Sequence, residues 1–401
     1  MTVLLRHRKK YLVLIICSLS LVYGFSLDIF SHTVNGAAID MLPGNKVEQT
    51  ELRFRGFYGG QLQIGKRLLL NAAVSAKTGN LFSDVRFRDI VSSANLDEAS
   101  LMYRFKVENA LAQWSIFAGE YEVPGSDSFI KKYFGTEAFS SDLIKKETGF
   151  ETPALFPLNG VGTSFMIKYA VPLANAGYFY YNEKYGKKRL NADFRIAGVS
   201  NILISDFLFG LSLPFERKDA NGNDVVMVIK RADIHAGLTF LIGGSPFFNL
   251  YMQAGLARLQ TKPEAPEKIV DFSDLYFLFE PRFAAGTSLF SVSLFYFPEH
   301  VYKDIPYIDR PLGAALTVKS LPVEFRSGQG VFGCITSVSA ANPLTGAFSG
   351  FSLASISLKA VPFADIRIRN GNFKILLPIR PLKYTQPKEA FSLSLSYTIR
   401  F

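Results

Sequence analysis

Apolar and polar residues alternate with a period of two, in runs of about nine to twelve residues that recur from Leu52 to the C-terminus. The last twelve residues, Ala390 to Phe401 (AFSLSLSYTIRF), show the pattern most clearly. Leu393, Leu395, Tyr397, Ile399 and Phe401 fall on one side, and Ser392, Ser394, Ser396, Thr398 and Arg400 on the other. Other runs repeat it: Tyr103, Phe105 and Val107 oppose Arg104, Lys106 and Glu108, and Phe207, Phe209 and Leu211 oppose Asp206, Leu208, Gly210 and Ser212. Such runs match the length of a tilted bilayer-crossing strand, whereas soluble strands average about half of it. Downstream of the N-terminus no apolar run has the length of a membrane helix, so a mature chain that spans a bilayer does so as a closed barrel.

The ending in Tyr397, Ile399 and Phe401 resembles the C-terminal strand of bacterial outer-membrane β-barrels, whose final residue is typically Phe and is read by the barrel-insertion machinery. The resemblance is to a class and assigns no specific family within it. It implies that these three residues act as an insertion signal, that outer-membrane lipids and the insertion machinery are partners, and that the chain resides in the outer membrane of a diderm bacterium.

Composition agrees with that class. Aromatic residues make up 14% of the chain and charged residues only 19%, below the quarter usual for soluble domains. The net charge of +10 includes Arg6, Arg8, Lys9 and Lys10, with no acid before Asp28; without those four it is about +6. The remaining cations are scattered singly along strands, which argues against nucleic-acid binding. Residues 1–24 read as a Sec-type signal peptide, with a basic start, an apolar run from Tyr11 to Val22 and cleavage near Gly24. Cys17 follows Ile16 where a lipoprotein signal requires a small residue, and cleavage leaves Cys334 as a single cysteine unable to form an internal disulfide.

After the signal, residues 25–51 are expected as a periplasmic tail or a plug, and residues 52–401 as one antiparallel transmembrane β-barrel of about 16 strands, within a range of 14 to 18. Fixing Phe401 at the periplasm assigns the connections alternately to tight turns (Ser200 and Asn201, Ala285 to Thr287, Val361 to Ala364) and outer loops (His300 to Pro311, Ile379 to Glu389). Leu321 to Gly330 fits poorly as a periplasmic turn because it is long, and the first strands, Leu52 to Tyr58 and Leu68 to Ala76, make the total odd. The connection 122–160 is too long to be only a connector. Ser126 to Phe134 and Ser140 to Glu147 each begin with a helix-capping residue and carry Phe129, Ile130, Tyr133, Leu143 and Ile144, so short amphipathic helices are expected there, in an outer cap or folded inward as a constriction.

Signals for catalysis or cofactors are weak. Gly328, Gly330 and Gly333 have dinucleotide-fingerprint spacing but precede a β-branched stretch, and the four histidines lie far apart, so neither a cofactor nor a metal is implied. Asp233 and His235 share the wet face of a strand, half of a hydrolytic arrangement, yet no nucleophile motif accompanies them, and the chain is read as a non-enzyme. Parity turns Arg53, Arg55, Arg104, Lys106, Lys168, Arg195, Lys319, Lys359, Arg367, Arg369, Lys374 and Arg400 inward, against fewer acids such as Glu108, Asp193, Asp206 and Asp233. On the lipid face each cation would cost roughly 2 to 4 kcal/mol. A bore with surplus positive charge favours anions, so the sequence is read as a porin-like channel for passive diffusion of small solutes. The alternatives are a closed barrel serving as a surface or host-contact protein, and a transporter of hydrophobic compounds resembling the long-chain fatty-acid type.

Removing Phe401 is expected to lower the amount of barrel assembled in the outer membrane, read by fractionation and heat-modifiable gel mobility, with little effect on refolding in detergent. A terminal aromatic contributes only part of the roughly 1.5 to 3 kcal/mol of a fully buried side chain. Normal outer-membrane levels would remove the insertion role.

Overall fold

The computed structural model describes residues 29–43, 50–78, 91–122, 127–136, 141–144, 158–184, 186–218, 224–229, 231–245, 248–263, 269–271, 274–303, 305–341, 356–369 and 371–400. The strands in chain order begin with β1 (Ile29–Pro43), β2 (Thr50–Ile64), β3 (Leu68–Thr78), β4 (Val91–Val107), β5 (Ala110–Glu122), β6 (Leu158–Lys168) and β7 (Leu173–Lys184). They continue with β8 (Lys187–Val199), β9 (Leu203–Lys218), β10 (Asp224–Ile229), β11 (Asp233–Ser245), β12 (Phe248–Gln260), β13 (Leu275–Ala285) and β14 (Ser288–Tyr296). The last are β15 (Leu312–Ser320), β16 (Val323–Phe325), β17 (Gly328–Ala340), β18 (Ile356–Ile368), β19 (Gly371–Leu376) and β20 (Ser394–Arg400).

All twenty belong to one antiparallel sheet. β9 pairs with β11 up to Ser212↔Asp233 and then with β10 from Phe215↔Ile229, so β10 and β11 share one place in the order. In the same way β15 and β16 both pair with β17, at Lys319↔Gly333 and then Val323↔Gly330. That leaves eighteen strand positions among the described residues, the upper bound of the expected range. β20 pairs with β19 and with β1, and β1 pairs with β2, so the succession of ladders returns to its starting strand. No helix among the described residues is long and apolar enough to cross a membrane.

Three expectations change. Residues 29–43, expected as tail or plug, form a strand in register with both β2 (Ile39↔Phe54) and β20 (Ile39↔Tyr397). This added strand makes the total even, and it occupies residues that the hydrophobic-transporter reading needs as a plug. Val361 to Ala364 is not a turn, because β18 runs through it. Pro362 turns its carbonyl to the Leu377 amide where the ladder to β19 ends, so the amide hydrogen that proline lacks is missing at a ladder end. Leu321 to Gly330 resolves into β16 and a two-residue turn, Arg326 and Ser327.

Tight turns at 65–67, 108–109, 169–172, 200–202, 286–287 and 326–327 lie at one end of the barrel. The strand ends at Pro43, Thr78, Glu122, Lys184, Lys218, Gln260, Tyr296, Ala340 and Leu376 lie at the other. Glu108 and Arg369 sit in tight turns with φ of 51° and 50°, a left-handed conformation uncommon for side-chain-bearing residues. Neither therefore stands on the barrel wall as expected.

Ala38 and Thr398 are directly opposed across the β1–β20 ladder. Their double substitution, Ala38→Cys with Thr398→Cys in a Cys334→Ser background, is expected to form an intrachain disulfide on mild oxidation, since opposed residues lie about 4.5 to 5.5 Å apart. Mass spectrometry of the oxidised, folded protein checks this, and an uncrosslinked product would place residues 29–43 outside the sheet.

Candidate functional site in the barrel lumen

The two faces of the sheet differ as the alternation requires. Trp114, Phe165, Phe179, Phe207 and Leu294 are exposed on the outer face, while Gln113, Ser164, Asp206 and Ser293 between them are buried. The tail follows the same rule, with Leu393 and Tyr397 exposed and Ser394, Ser396 and Thr398 buried. Polar side chains are buried on the inner face because segments from the long connections fold into the lumen.

The first such segment lies within 123–157. Its helix α1 (Asp127–Phe134) buries Phe129, Ile130 and Tyr133 against the inner wall of β4 to β8. Ala174, Ala176 and Ala197, all buried, leave room for it there. The Arg195 guanidinium lies 4.0 Å from the centre of the Phe129 ring, and Gln113 Nε2 donates to Tyr133 Oη at 3.1 Å. Further along, Ser141 donates to the Glu280 carboxylate on β13, Asp142 pairs with Lys319 on β15, and Leu143 and Ile144 are buried among apolar wall residues. The segment thus rests on β5 and β8 at one point and on β13 and β15 at another, which puts it within the lumen. Of the two readings of 122–160, the inward one describes this structure for residues 127–136 and 141–144.

The second segment is 297–311. Its short helix α2 (Glu299–Tyr302) and the residues after it bury Val301, Ile305, Tyr307 and Ile308 against β12 to β19. Ser337 Oγ donates to the Tyr307 carbonyl at 2.6 Å. Asp309 receives Lys359 Nζ at 2.9 Å, Arg380 Nε at 2.9 Å and Nη2 at 3.1 Å, and Ser357 Oγ at 2.8 Å. Burial alone would raise the Asp309 pKa, but the hydrogen bonds and charges of Arg380 and Lys359 outweigh it and hold the carboxyl well below the usual carboxylate range. With its folded pKa depressed, Asp309 contributes stability that is fully present above the ordinary carboxylate pKa of roughly 3.9 and is lost as pH falls through the folded value.

Between these segments the inner wall carries a polar network on β7 to β13. Arg195 makes a two-pronged pair with Asp206, at 2.6 and 2.8 Å. Arg189 meets Asp233 at 3.0 Å, Arg231 meets the same carboxylate at 3.5 Å, and Arg282 pairs with Glu280 at 2.7 Å. His235 Nε2 lies 3.1 Å from Asp193 Oδ1, and Tyr180 Oη donates to Asp193 Oδ2 at 3.0 Å. Asp233 and His235 therefore do not form a pair of their own. Asp193, Gly210 and His235 occupy one cross-strand row, and only a residue without Cβ in the middle lets the outer two meet. A Cβ on Gly210 would stand 2.1 Å from His235 Nε2 and 2.4 Å from Asp193 Oδ1.

The expected bore-lining cations divide into groups. Arg195, Lys319 and Lys359 point inward but are held by Asp206, Asp142 and Asp309, so they are parts of the wall-to-segment contacts. Arg104 donates to Gln113 at 3.3 Å, and Lys168 lies 5.6 Å from the Phe134 ring centre. Lys106 shares a cross-strand row with Leu111 and Lys168 near the tight-turn end and is exposed, as are Arg367 and Arg369. The side chains of Arg53, Arg55, Ile399 and Arg400, together with Phe401 and residues 1–28, lie outside the described residues. Sequence reasoning missed Arg189, Arg282 and Arg380. The first two share strand parity with Arg195 and Glu280 and could have been found that way, whereas Arg380 sits in a connection that parity does not reach.

No family model matches the chain, and no curated protein matches it. Solved structures resemble it at low identity. A double mutant of the Rh. blastica porin aligns over 93% of this chain and 100% of its own, with 6% identity and a TM-score of 0.42. A loop-deletion mutant of OmpT, an outer membrane protein of Vibrio cholerae, aligns over 93% and 99%, with 7% identity and a TM-score of 0.40. The barrel reading rests on the strand pairing itself.

Gly210→Ala is expected to push His235 and Asp193 apart and destabilise the barrel by about 1 to 3 kcal/mol, the usual cost of overpacking. A lowered urea midpoint of the refolded protein with an unchanged slope checks this. An unchanged midpoint would show that the row accommodates a methyl group.

Proposed function

We propose that the chain is an outer-membrane, porin-like channel for passive diffusion of small solutes, with a bore set by the two inward-folded segments. The observation that carries this reading is the anchoring of segment 123–157 on two separate stretches of wall, through Phe129 on Arg195 and Ser141 on Glu280. A strand-walled barrel with an outer belt of exposed aromatics and a segment held across its lumen has the parts that a size-limiting pore requires. Outer-membrane lipids cover Trp114, Phe165 and Phe207, Tyr397, Ile399 and Phe401 present the insertion signal, and cleavage near Gly24 releases the mature chain.

Anion preference is narrower than a count of cations suggests. Inward cations matched one to one by acids add no net field, so the preference falls to those in excess, among them Arg104, Lys106 and Lys168, which stand together near the tight-turn end. It is weak and falls with salt as screening shortens to about 10 Å at 0.1 M.

Deleting Ser126 to Glu147 is expected to raise single-channel conductance in planar bilayers at least twofold and to admit larger solutes in liposome swelling. Unchanged conductance would remove the constriction. No conductance from either refolded protein would instead favour the closed-lumen surface protein.

A further inference from the structure

We propose that segment 297–311 is an internal stand-in for a solute, and that the wall beneath it is a binding site for small monocarboxylates with an apolar body, aromatic or short aliphatic. Two halves of a receptor converge there. Lys359, Arg380 and Ser357 surround both oxygens of the Asp309 carboxylate, and Arg380 supplies two of its nitrogens as a fork. That is the donor arrangement for recognising a carboxylate. Two cations on one carboxylate leave a local surplus of positive charge.

Apolar Ile335, Val361 and Leu376 lie on the inner face of β17, β18 and β19, and Val361 is two residues along β18 from Lys359 on the same side. Wall residues of a wet bore are polar, so an apolar strip in the lumen calls for an apolar occupant. Ile305 and Ile308 belong to the same buried apolar cluster as that strip, and Asp309 follows directly with the carboxylate. The segment therefore presents an apolar body and an anionic head in the order that such a solute would.

The receptor stands independently of its occupant. Lys359 is fixed by the β18 ladders, and Arg380 by its amide hydrogen bond to the Ala390 carbonyl and the Ala360↔Ile379 bridge beside it. If the segment withdraws, the donors and the apolar strip remain in place. A solute then binds with an apparent affinity reduced by the fraction of molecules in which the segment is displaced.

The inference rests on reading the lumen as a solute path, so its test is read by binding and not by current. Calorimetric titration of the refolded full-length protein in detergent with benzoate, and with benzamide as its uncharged counterpart, decides it. Saturable benzoate binding is expected, with benzamide at least tenfold weaker. Asp309→Asn, which removes the competing charge, is expected to tighten benzoate about tenfold. Ile308→Ser, which loosens the seat of the segment without touching the cations, is expected to act in the same direction. Lys359→Met and Arg380→Met should each abolish the preference over benzamide. Equal binding of benzoate and benzamide, or benzoate binding that tightens in neither Asp309→Asn nor Ile308→Ser, would reduce Asp309 to a structural clasp and overturn the proposal. Absence of saturable benzoate binding to the wild type and both variants would overturn it as well. A barrel that binds benzoate but never conducts would sink the channel reading and keep this one; conduction without benzoate binding would do the reverse.

Discussion

Backbone hydrogen bonding dictates the architecture. Inside a bilayer an unpaired amide or carbonyl costs several kcal/mol, and a sheet satisfies them all only when its first and last strands meet. Here the meeting is β1 with β20, over Gly36↔Arg400 to Met41↔Leu395. Once that ladder exists, neither β1 nor β20 is left as an edge, parity commits the strand side chains to the outer or inner face, and a one-residue slip would exchange the two faces. Trp114, exposed on the outer face, and Gln113, buried on the inner one, are two outcomes of the same constraint.

A second constraint follows from filling the lumen. Segments 123–157 and 297–311 bring Leu143, Ile144, Val301 and Ile305 into the interior and displace water from charged walls. A charge removed from water without a partner costs several kcal/mol, and removing one partner of a buried pair typically costs about 3 to 5. The charges that the segments cover accordingly stand in pairs: Arg195 with Asp206, Arg282 with Glu280, Lys359 with Asp309. Pairing governs most of the inner wall, and a surplus stands at Asp309, which Lys359 and Arg380 share. Exposed cations stand near the barrel's tight-turn end, at Lys106, Arg367 and Arg369.

Much of this was legible in the sequence wherever alternation is strong. The tail, the Phe207 to Phe215 run and the inward position of Arg195 could be read from parity alone, and the paired apolar patches of 122–160 marked a segment that needed a surface to pack on. β1 was not legible, because Ser31, Thr33 and Asn35 share one side with Ile29, and Gly36 to Ala38 carry no contrast. Pro362 imitated a turn because a proline reads as a strand breaker until the ladder position it occupies is known. Between β11 and β12 a register shift at Ile234/Ala236 opposes a bulge near Arg258, where counting by twos fails. Leu208 and Leu241 stand apolar on the polar face, which makes sense only once segments folded in from distant parts of the chain are seen to cover them.

Wall and filling are held by different forces, and that difference bears on how a solute could pass. The wall rests on continuous ladders, whose opening is cooperative and approaches the global stability. The inner segments rest on a few side-chain contacts, such as Ser141 on Glu280, Ser337 on the Tyr307 carbonyl and the Asp309 cluster, plus apolar surface that any apolar molecule can also cover. Net contributions of about 1 kcal/mol per neutral hydrogen bond, and more for charged ones, make each segment far easier to displace than a strand. In a channel of this kind the filling would yield before the wall, and the wall would offer a fixed set of donors and apolar positions against which a solute would compete with the segment. Selectivity would then reside in the chemistry of the contacts that hold the segments, because a solute that reproduced those contacts would replace them.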